Sequence, residues 1–320
     1  MLKIKNKIPS ALTIGGKIVE RIKMRNEVVW EKVQLEYFYI ESLGDGNTVS
    51  VVNEGDGSAS GVTPTLEYST DKNTWNTITF DWTSGEHTTE LPIKLNTGGK
   101  MYFRNDTGKF SGSIYRYIKF SSSVSSNVGG DIRTLSNYLN VDNETTVQSN
   151  MFRNLFNSNK NIVDASNLKL PYTTLANYCY QSMFQGCTSL TTAPTLPATT
   201  LKEDCYRMMF LGCTSLTTAP TLPAKTLEYS CYNSMFRGCT SLTTAPALPA
   251  TTLLYRCYSS MFYNCSSLNN ITVYADNIST DCTSSWLSGV ASSGTFRNLG
   301  SAIYPRGEDG IPSGWTEVKS

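Results

Sequence analysis

A 26-residue sequence repeat occupies the middle of the chain and constrains its fold more than any other feature. Four copies begin at Cys179, Cys205, Cys231 and Cys257, and each carries CYxxMFxGCTSL or a close variant. The first three copies continue with LTTAPxLPAxTL. A fixed period of this length is typical of solenoids, in which each unit buries its apolar side chains against its neighbours. The repeat therefore predicts a stack of units that displays a binding surface.

Apolar residues recur at every fourth position in the first part of each unit. In the second copy these residues are Leu201, Cys205 and Met209, with Tyr206 and Phe210 alongside. This spacing predicts the apolar face of a helix of about three turns. Gly212 follows where a helix commonly ends in a left-handed residue. The equivalent residues in the other copies are Gly186, Gly238 and Asn264.

The second part of each unit predicts a short strand. Pro220 lacks a backbone N–H and limits the strand to Leu216–Ala219 in the second copy. Stacked units would pair these strands in parallel, with threonine ladders formed by Thr191, Thr192, Thr217, Thr218, Thr243 and Thr244. We therefore expect an α/β solenoid of the leucine-rich-repeat type over 131–282, with an atypical capping unit before the four copies.

Nine cysteines raise the question of a disulfide or metal framework. Eight of them occupy two fixed positions of the repeat: Cys179, Cys187, Cys205, Cys213, Cys231, Cys239, Cys257 and Cys265. Cys282 is left over. No CxxC pair of the kind that binds zinc is present. Because free cysteine packs as a small apolar residue, the pattern predicts buried, reduced thiols and no metal site.

Residues 35–130 predict strands and turns without helical periodicity. Seven short segments are rich in aromatic and β-branched residues: 37–40, 48–52, 66–69, 74–80, 91–95, 101–104 and 115–120. Turn sequences such as GDGN, TSGEH and NTGG separate them. Seven strands over about ninety residues predict an antiparallel β-sandwich. Residues 283–320 are expected to form a C-terminal cap.

Residues 1–34 predict a small β segment, with turns at Gly15-Gly16 and at Arg25-Asn26-Glu27. A segment of this length cannot build its own core. Its apolar side chains therefore need a partner, and they are Ile14, Ile18, Ile22, Val28 and Trp30. We expect these residues to attach the chain to another subunit or to a second copy of the chain.

The charge balance and hydropathy exclude several classes of partner. The 320 residues include 27 Lys and Arg against 26 Asp and Glu, so nucleic acid is not an expected partner. No run of about 18 apolar residues predicts a membrane span, and no apolar segment near the start predicts a signal peptide. We therefore expect no membrane insertion.

The repeat units closely resemble the BspA-like class of leucine-rich repeats over about residues 145–282. The resemblance rests on the CYxxMFxGCTSL and LPAxTL blocks, and the tail from SSWLSGV to GIPSGW is similar to the usual ending of such proteins. It implies adhesion and ligand display without catalysis, on surfaces of bacteria or of their phages. The opening block GGKIVERIKMRNEVVWEK is similar to the N-terminal segment of phage tail and fibre proteins.

Few residues suggest a catalytic or metal-binding site. His87 is the only histidine, so Ser-His-Asp or Cys-His catalysis would depend on it. Residues 69–75 resemble an Asp-box turn that is one residue too short. Asp45, Glu54 and Asp56 lie in glycine-rich loops that could hold calcium, although a solvated turn is the simpler interpretation. Carboxylate pairs for glycoside hydrolysis have no fixed spacing in sequence, so this activity remains an alternative. We expect no catalytic residue, no cofactor and no metal.

Positions that vary between copies predict the exposed surface of the repeats. They include the sets that begin at Gln181 and at Gln185 and the trio ending at Asp204. The candidate binding residues among them are Lys202, Arg207, Glu228, Tyr229, Arg237, Leu254, Tyr255, Arg256 and Tyr263. Aromatic rings among them suit stacking on sugars or protein contacts, but neutral variation on a solvated face also explains the pattern.

Three functions remain open at this point. The first is a virion fibre or receptor-binding protein, exposed on the virion surface, that binds a host protein or polysaccharide and forms a homo-oligomer. The second is a bacterial cell-surface adhesin. The third, a polysaccharide-degrading enzyme, has no supporting group of residues.

Overall fold

The computed structural model describes residues 12–14, 17–19, 21–24, 27–31, 35–55, 66–106, 110, 117–143 and 145–319. The chain divides into two units, Met1–Glu36 and Tyr37–Ser320. Its described part is mainly β with very few helical residues.

The first unit contains two antiparallel strand pairs. Strand β1 (Leu12–Ile14) pairs with β2 (Lys17–Val19), and β3 (Arg21–Met24) pairs with β4 (Glu27–Glu31). These strands flank both predicted turns. The five proposed attachment side chains, Ile14, Ile18, Ile22, Val28 and Trp30, lie outside the part of the chain whose side chains the structure describes, so their role stays a prediction.

The second unit begins with two sheets. Their strands are β5 (Phe38–Ser42), β6 (Asn47–Gly55), β7 (Leu66–Ser69), β8 (Asn76–Ile78), β9 (Gly85–Leu95), β10 (Lys100–Arg104), β11 (Tyr117–Ser122), β12 (Ser126–Asp131) and β13 (Ile162–Lys169). The six-stranded sheet has the order β13-β12-β5-β10-β7-β8, and the three-stranded sheet has the order β11-β6-β9. Pairing is antiparallel except between β12 and β13.

Each of the seven predicted strand segments overlaps one observed strand. Two details differ from the prediction. Gly85 and His87 belong to β9 instead of to a TSGEH turn, because this polar segment pairs with β6. The sequence SNVGGD did not predict β12, since Val128 is its only apolar residue, yet neighbours on both sides supply its hydrogen bonds.

Aromatic side chains from both sheets meet in one core. Phe38 of β5 and Phe103 of β10 contact Phe120 of β11 with ring centroids 5.2 and 4.7 Å apart, and all three rings are fully buried. Phe156, which follows in the first repeat unit, lies 6.0 Å from Phe38. The core of the sheets therefore continues into the core of the repeats.

The helix predicted in each repeat is wrong, and consecutive turns take its place. In the first copy the N–H of Gln181 donates to Tyr178 three residues back, whereas the N–H of Tyr180 donates to Cys205 of the next unit. Tyr178, Ser182 and Gly186 have φ angles of 61°, 55° and 73°. A left-handed residue at every fourth position prevents a helix and turns alternate N–H groups toward the neighbouring unit. The left-handed residue that ends each segment was predicted correctly, at Gly186, Gly212, Gly238 and Asn264, and so was the burial of the apolar residues.

Helix is confined to one short segment in the described residues. It consists of α1 (Thr134–Asn137), continued by a 3-10 turn over Tyr138–Asn143. This segment lies ahead of the first repeat unit.

The predicted repeat strands are reduced to single parallel bridges. Thr192 pairs with Asp164 and with Thr218, and a second line joins Thr174, Thr200 and Thr226. Pro194 closely follows the first line and Pro197 closely precedes the second, and a proline cannot donate the next backbone hydrogen bond of a strand. Longer parallel pairing appears at both ends of this region. At the start β13 pairs with β12. At the end β14 (Thr252–Leu253) pairs with β16 (Asn277–Ile278), and β17 (Gly294–Asn298) pairs with β15 (Asn270–Val273) and β18 (Trp315–Lys319).

Two columns of stacked rings run through the repeats. One joins Phe152, Tyr180, Tyr206, Tyr232, Tyr258, Trp286 and Tyr304 at centroid separations of 5.7–6.3 Å. The other joins Phe156, Phe184, Phe210, Phe236 and Phe262 at 5.0–5.7 Å. Equivalent side chains therefore lie in register from unit to unit.

The cysteines are buried in two further columns. Thiols of the second column donate to the phenylalanine carbonyl of the preceding unit, as from Cys213 to Phe184 at 3.1 Å. Burial raises the pKa of Cys205 and of Cys265 to about 12. Cys282 also belongs to the repeat pattern. Its carbonyl accepts a hydrogen bond from the N–H of Tyr258, just as the carbonyl of Cys257 accepts one from the N–H of Tyr232. It continues the first column into the segment that precedes the last strands.

Candidate binding surface on the repeats

The predicted binding residues fall into two levels of exposure. The exposed ones are Lys202, Tyr229, Arg237, Tyr255 and Arg256. The half-buried ones are Arg207, Glu228, Leu254 and Tyr263. The fold therefore brings some, but not all, of these residues to the surface.

Backbone hydrogen bonds align the exposed tyrosines. Asp204 N–H donates to the carbonyl of Tyr229, and Ser230 N–H donates to the carbonyl of Tyr255. Glu203 holds the equivalent position one unit earlier, where its carbonyl accepts from Tyr178. Because the repeats stay in register, side chains at this position form a row across successive units.

Tyr229 and Tyr255 form an exposed aromatic pair. Their side chains are 56% and 42% exposed, high values for tyrosine. Their ring centroids lie 6.5 Å apart with an interplanar angle of 84°, so the edge of one ring faces the other. The Arg256 guanidinium lies 5.0 Å from the centroid of Tyr255.

Two open grooves are lined in part by Glu228 and Leu254, the residues that directly precede these tyrosines. The first, of about 260 Å³, is lined by Thr199, Thr200, Leu201, Thr226 and Glu228. The second, of about 160 Å³, is lined by Lys225, Thr226, Leu227, Thr251, Thr252 and Leu254. Residues 199–203, 225–229 and 251–255 together form what we call the tyrosine–threonine surface.

The tyrosine–threonine surface is anchored by one leucine in each unit. Leu201, Leu227 and Leu253 are almost fully buried, whereas the threonines before them are exposed. Parallel bridges from Thr174 to Thr200 and from Thr200 to Thr226 fix the register of the segments. The hydroxyl groups are thereby held in a row on backbone that cannot slide.

A second group of predicted residues is engaged within the protein. The Arg237 guanidinium lies 4.6 Å from the ring centroid of Tyr263, which holds the equivalent position in the next unit. This cation–π contact covers one face of Tyr263 and joins two units. The pair is better placed to stabilise the stack than to bind a partner.

Three positions predicted to be exposed are buried. Gln181, Asp204 and Ser259 are only 7%, 7% and 9% exposed. Consecutive turns stack more closely on adjacent units than the expected helices would, and this covers their side chains. Arg207 is half-buried as well, with its Nη1 3.5 Å from Asp204.

The carboxylate of Asp204 is buried without a full set of hydrogen bonds. One of its carboxylate oxygens has no hydrogen-bond partner among the described residues, and the Nε of Arg207 has none either. Burial raises the pKa of the Asp204 carboxyl, although Arg207 opposes this effect. The folded chain therefore retains this proton to a higher pH than the unfolded chain, and its stability falls as pH rises above the ordinary value of 3.8.

Replacing Asp204 with asparagine should make the protein more stable than the wild type at neutral pH, with the advantage disappearing in acid. Asparagine is uncharged and tolerates the left-handed φ of 53° at this position. Chemical unfolding at several values from about pH 3 to about pH 7 measures the difference. Glu203→Gln, an exposed neighbour, should show no comparable trend. A variant that is less stable at neutral pH would mean that the ion pair with Arg207 outweighs burial.

His87 lies between Asp81 and Thr83. Its Nε2 is 3.0 Å from the Thr83 hydroxyl, and its Nδ1 is 3.5 Å from the Asp81 carboxylate. The carbonyl of Thr83 also lies 3.2 Å from Nε2 and competes for it. Asp81 and Thr83 are exposed, so these side chains surround His87 at a solvated surface and do not form a desolvated catalytic triad.

The acidic loops are held by their own hydrogen bonds. Asp71 accepts from Asn73 and Thr74 at 2.8 Å, which lowers its pKa to about 2, and this is the pattern of a closed Asx-type turn. Asp45 accepts from the N–H and hydroxyl of Thr97, which lowers its pKa. Glu54 lies in β6, and Asp56 lies outside the described residues.

The groove-lining threonines were not predicted as site residues. They lie in the LPAxTL block, which hardly varies, whereas the prediction considered only positions that vary. One feature of the sequence could have indicated that this block is exposed. Its fourth residue varies between copies, as Thr199, Lys225 and Thr251.

Among the described residues, no group of three or more histidine, cysteine or acidic side chains is arranged to hold a metal ion. The described residues also contain no helix with the length and apolar character needed to cross a bilayer. Comparisons with protein-family models, curated proteins and solved structures find no match to this chain.

Proposed function

We propose that this chain is a non-enzymatic display protein that binds a receptor on a host surface through its repeats. The observation that carries the proposal is the exposed pair Tyr229 and Tyr255, held in register beside hydroxyl-lined grooves. Exposed tyrosines are costly to leave unpartnered and are enriched where proteins bind. A host protein or a surface polysaccharide would fit this role.

The proposal includes an architecture of a β-sandwich over 35–130 followed by a leucine-rich-repeat solenoid of the BspA-like type. Two sheets that share an aromatic core support the sandwich. Unit-to-unit hydrogen bonds and two ring columns at a constant step support the solenoid. In this arrangement the sheets act as a spacer and the repeats carry the receptor-binding surface.

Within this class we favour a virion fibre over a bacterial cell-surface adhesin. The support is the resemblance of the opening block to phage tail and fibre proteins and the separate unit that residues 1–36 form. That segment would contact other virion subunits or a second copy of the chain in a homo-oligomer. A polysaccharide-degrading enzyme is the weakest alternative, because the sequence contains no recognisable catalytic group of residues.

Deleting residues 1–34 tests this placement. We expect residues 35–320 to fold, as judged by circular dichroism and cooperative melting, but to be missing from assembled virions when these are analysed by mass spectrometry. The full-length chain should be present in the same particles. Tyr229→Ala is the matched control and should be incorporated normally. Incorporation of the truncated chain, or recovery of the full-length chain only from cell envelopes, would favour the adhesin instead.

A further inference from the structure

The tyrosine–threonine surface offers polar groups without net charge. Its exposed threonines recur in three successive units, and its charged residues are Lys202, Glu203, Lys225 and Glu228. Two positive and two negative side chains cancel, and the adjacent Arg256 lies over the ring of Tyr255. Such a surface carries little net charge, so it favours a polyanion only weakly, and its hydroxyl groups hydrogen-bond both donors and acceptors.

The exposed rings add an apolar component. Because Tyr229 and Tyr255 are nearly perpendicular, they present a ring face and a ring edge to a ligand instead of one flat platform. Pyranose sugars combine an apolar C–H face with hydroxyl groups around the rim. The C–H face suits an aromatic ring, and the rim hydroxyls suit the threonine row.

The site also repeats along the stack. Exposed threonines recur in three units and exposed tyrosines in two of them, and parallel backbone pairing spaces units by about 4.8 Å. This step is close to the length of one sugar in an extended chain, so a polymer of sugars would meet a threonine at each of the three units. A peptide would instead need side-chain pockets that differ from unit to unit.

We propose that the tyrosine–threonine surface binds a linear, uncharged glycan that lies along the stack, with about one pyranose per repeat unit. The inference rests on the proposed receptor-binding function and adds the class of ligand and its direction. Tyr229 and Tyr255 stack against sugar C–H faces. Thr200, Thr226 and Thr252 hydrogen-bond the hydroxyl groups.

Calorimetric titration of the full-length chain tests the proposal with cello-, malto- and manno-oligosaccharides of increasing length. One series should bind, with affinity rising until the sugar spans the three units and then levelling off. Tyr229→Ala and Tyr255→Ala should each weaken binding about tenfold or more. Tyr229→Phe should retain most of the affinity because it keeps the ring. Ile303→Ala removes a side chain that is 81% exposed outside this surface and should leave affinity unchanged.

Three results would overturn the inference. They are no binding of any of the three series, binding that neither tyrosine variant weakens, and preferential binding of heparin that added salt abolishes. Attachment to host cells separates this inference from the proposed function. Attachment that survives periodate treatment but not protease would identify a protein receptor, so that only the glycan inference fails. Absence of attachment to any host cell, together with no sugar binding, would contradict both.

Discussion

Phe210→Ala should lower the free energy of unfolding by about 3–5 kcal/mol, the largest effect expected from a single substitution in the repeats. Phe210 is fully buried between Phe184 and Phe236, with ring centroids 5.6 Å away on both sides. Alanine would leave a cavity in the middle of the column that rigid neighbouring units cannot fill. Chemical denaturation followed by circular dichroism measures the loss.

Tyr229→Ala provides the comparison for Phe210→Ala, since it also removes a ring but from an exposed position. It should change stability by less than about 0.5 kcal/mol. A similar loss in both variants would show that the ring column is not the source of stability. A broadened or two-step transition in Phe210→Ala would indicate that repeats on either side of the cavity unfold separately.

Arg104→Ala should destabilise the protein by about 2–4 kcal/mol. The Arg104 guanidinium lies between two rings, 4.0 Å from the centroid of Trp75 and 4.4 Å from that of Tyr138. Its Nε also donates to Glu67 at 2.6 Å, and the side chain is only 17% exposed. The substitution therefore removes two cation–π contacts and leaves the partly buried carboxylate of Glu67 without this hydrogen bond. Thermal and chemical unfolding give the difference.

Two variants sharpen this test. Arg104→Lys keeps the charge but not the planar group, so it should recover only part of the lost stability. Lys100→Ala removes a cation from the same strand, where it lies over Tyr39 and pairs with Glu41 but is more exposed. It should cost under about 1 kcal/mol. Equal effects at both positions would contradict the importance assigned to the stacked guanidinium.

The candidate site could be predicted from the sequence only in part. Variation between copies identified Tyr229 and Tyr255, which are exposed and in register. The same criterion failed for Gln181 and Asp204, because close stacking of the units buries positions that a helix would expose. It also missed Thr226, which lines both grooves although its sequence block is nearly constant.

The sequence alone determined which side chains are buried and where most strands form. The four-residue spacing of Leu201, Cys205 and Met209 predicted a buried set, and segments rich in aromatic and β-branched residues predicted seven strands. These features follow from local patterns, because burying apolar surface is favourable whatever the partner. The left-handed glycine at 212 was predictable for a similar local reason, since glycine has no Cβ.

Only the tertiary structure decided how the backbone of the repeats is hydrogen-bonded. A helix and a series of turns place apolar side chains at the same four-residue spacing, so the pattern at Cys179 and Met183 does not distinguish them. The neighbouring unit does, because it accepts the alternate N–H groups that a helix would keep within itself. The pairing of β12 with β13 depends on tertiary contacts in the same way, since a strand with one apolar residue forms only where neighbours complete its hydrogen bonds.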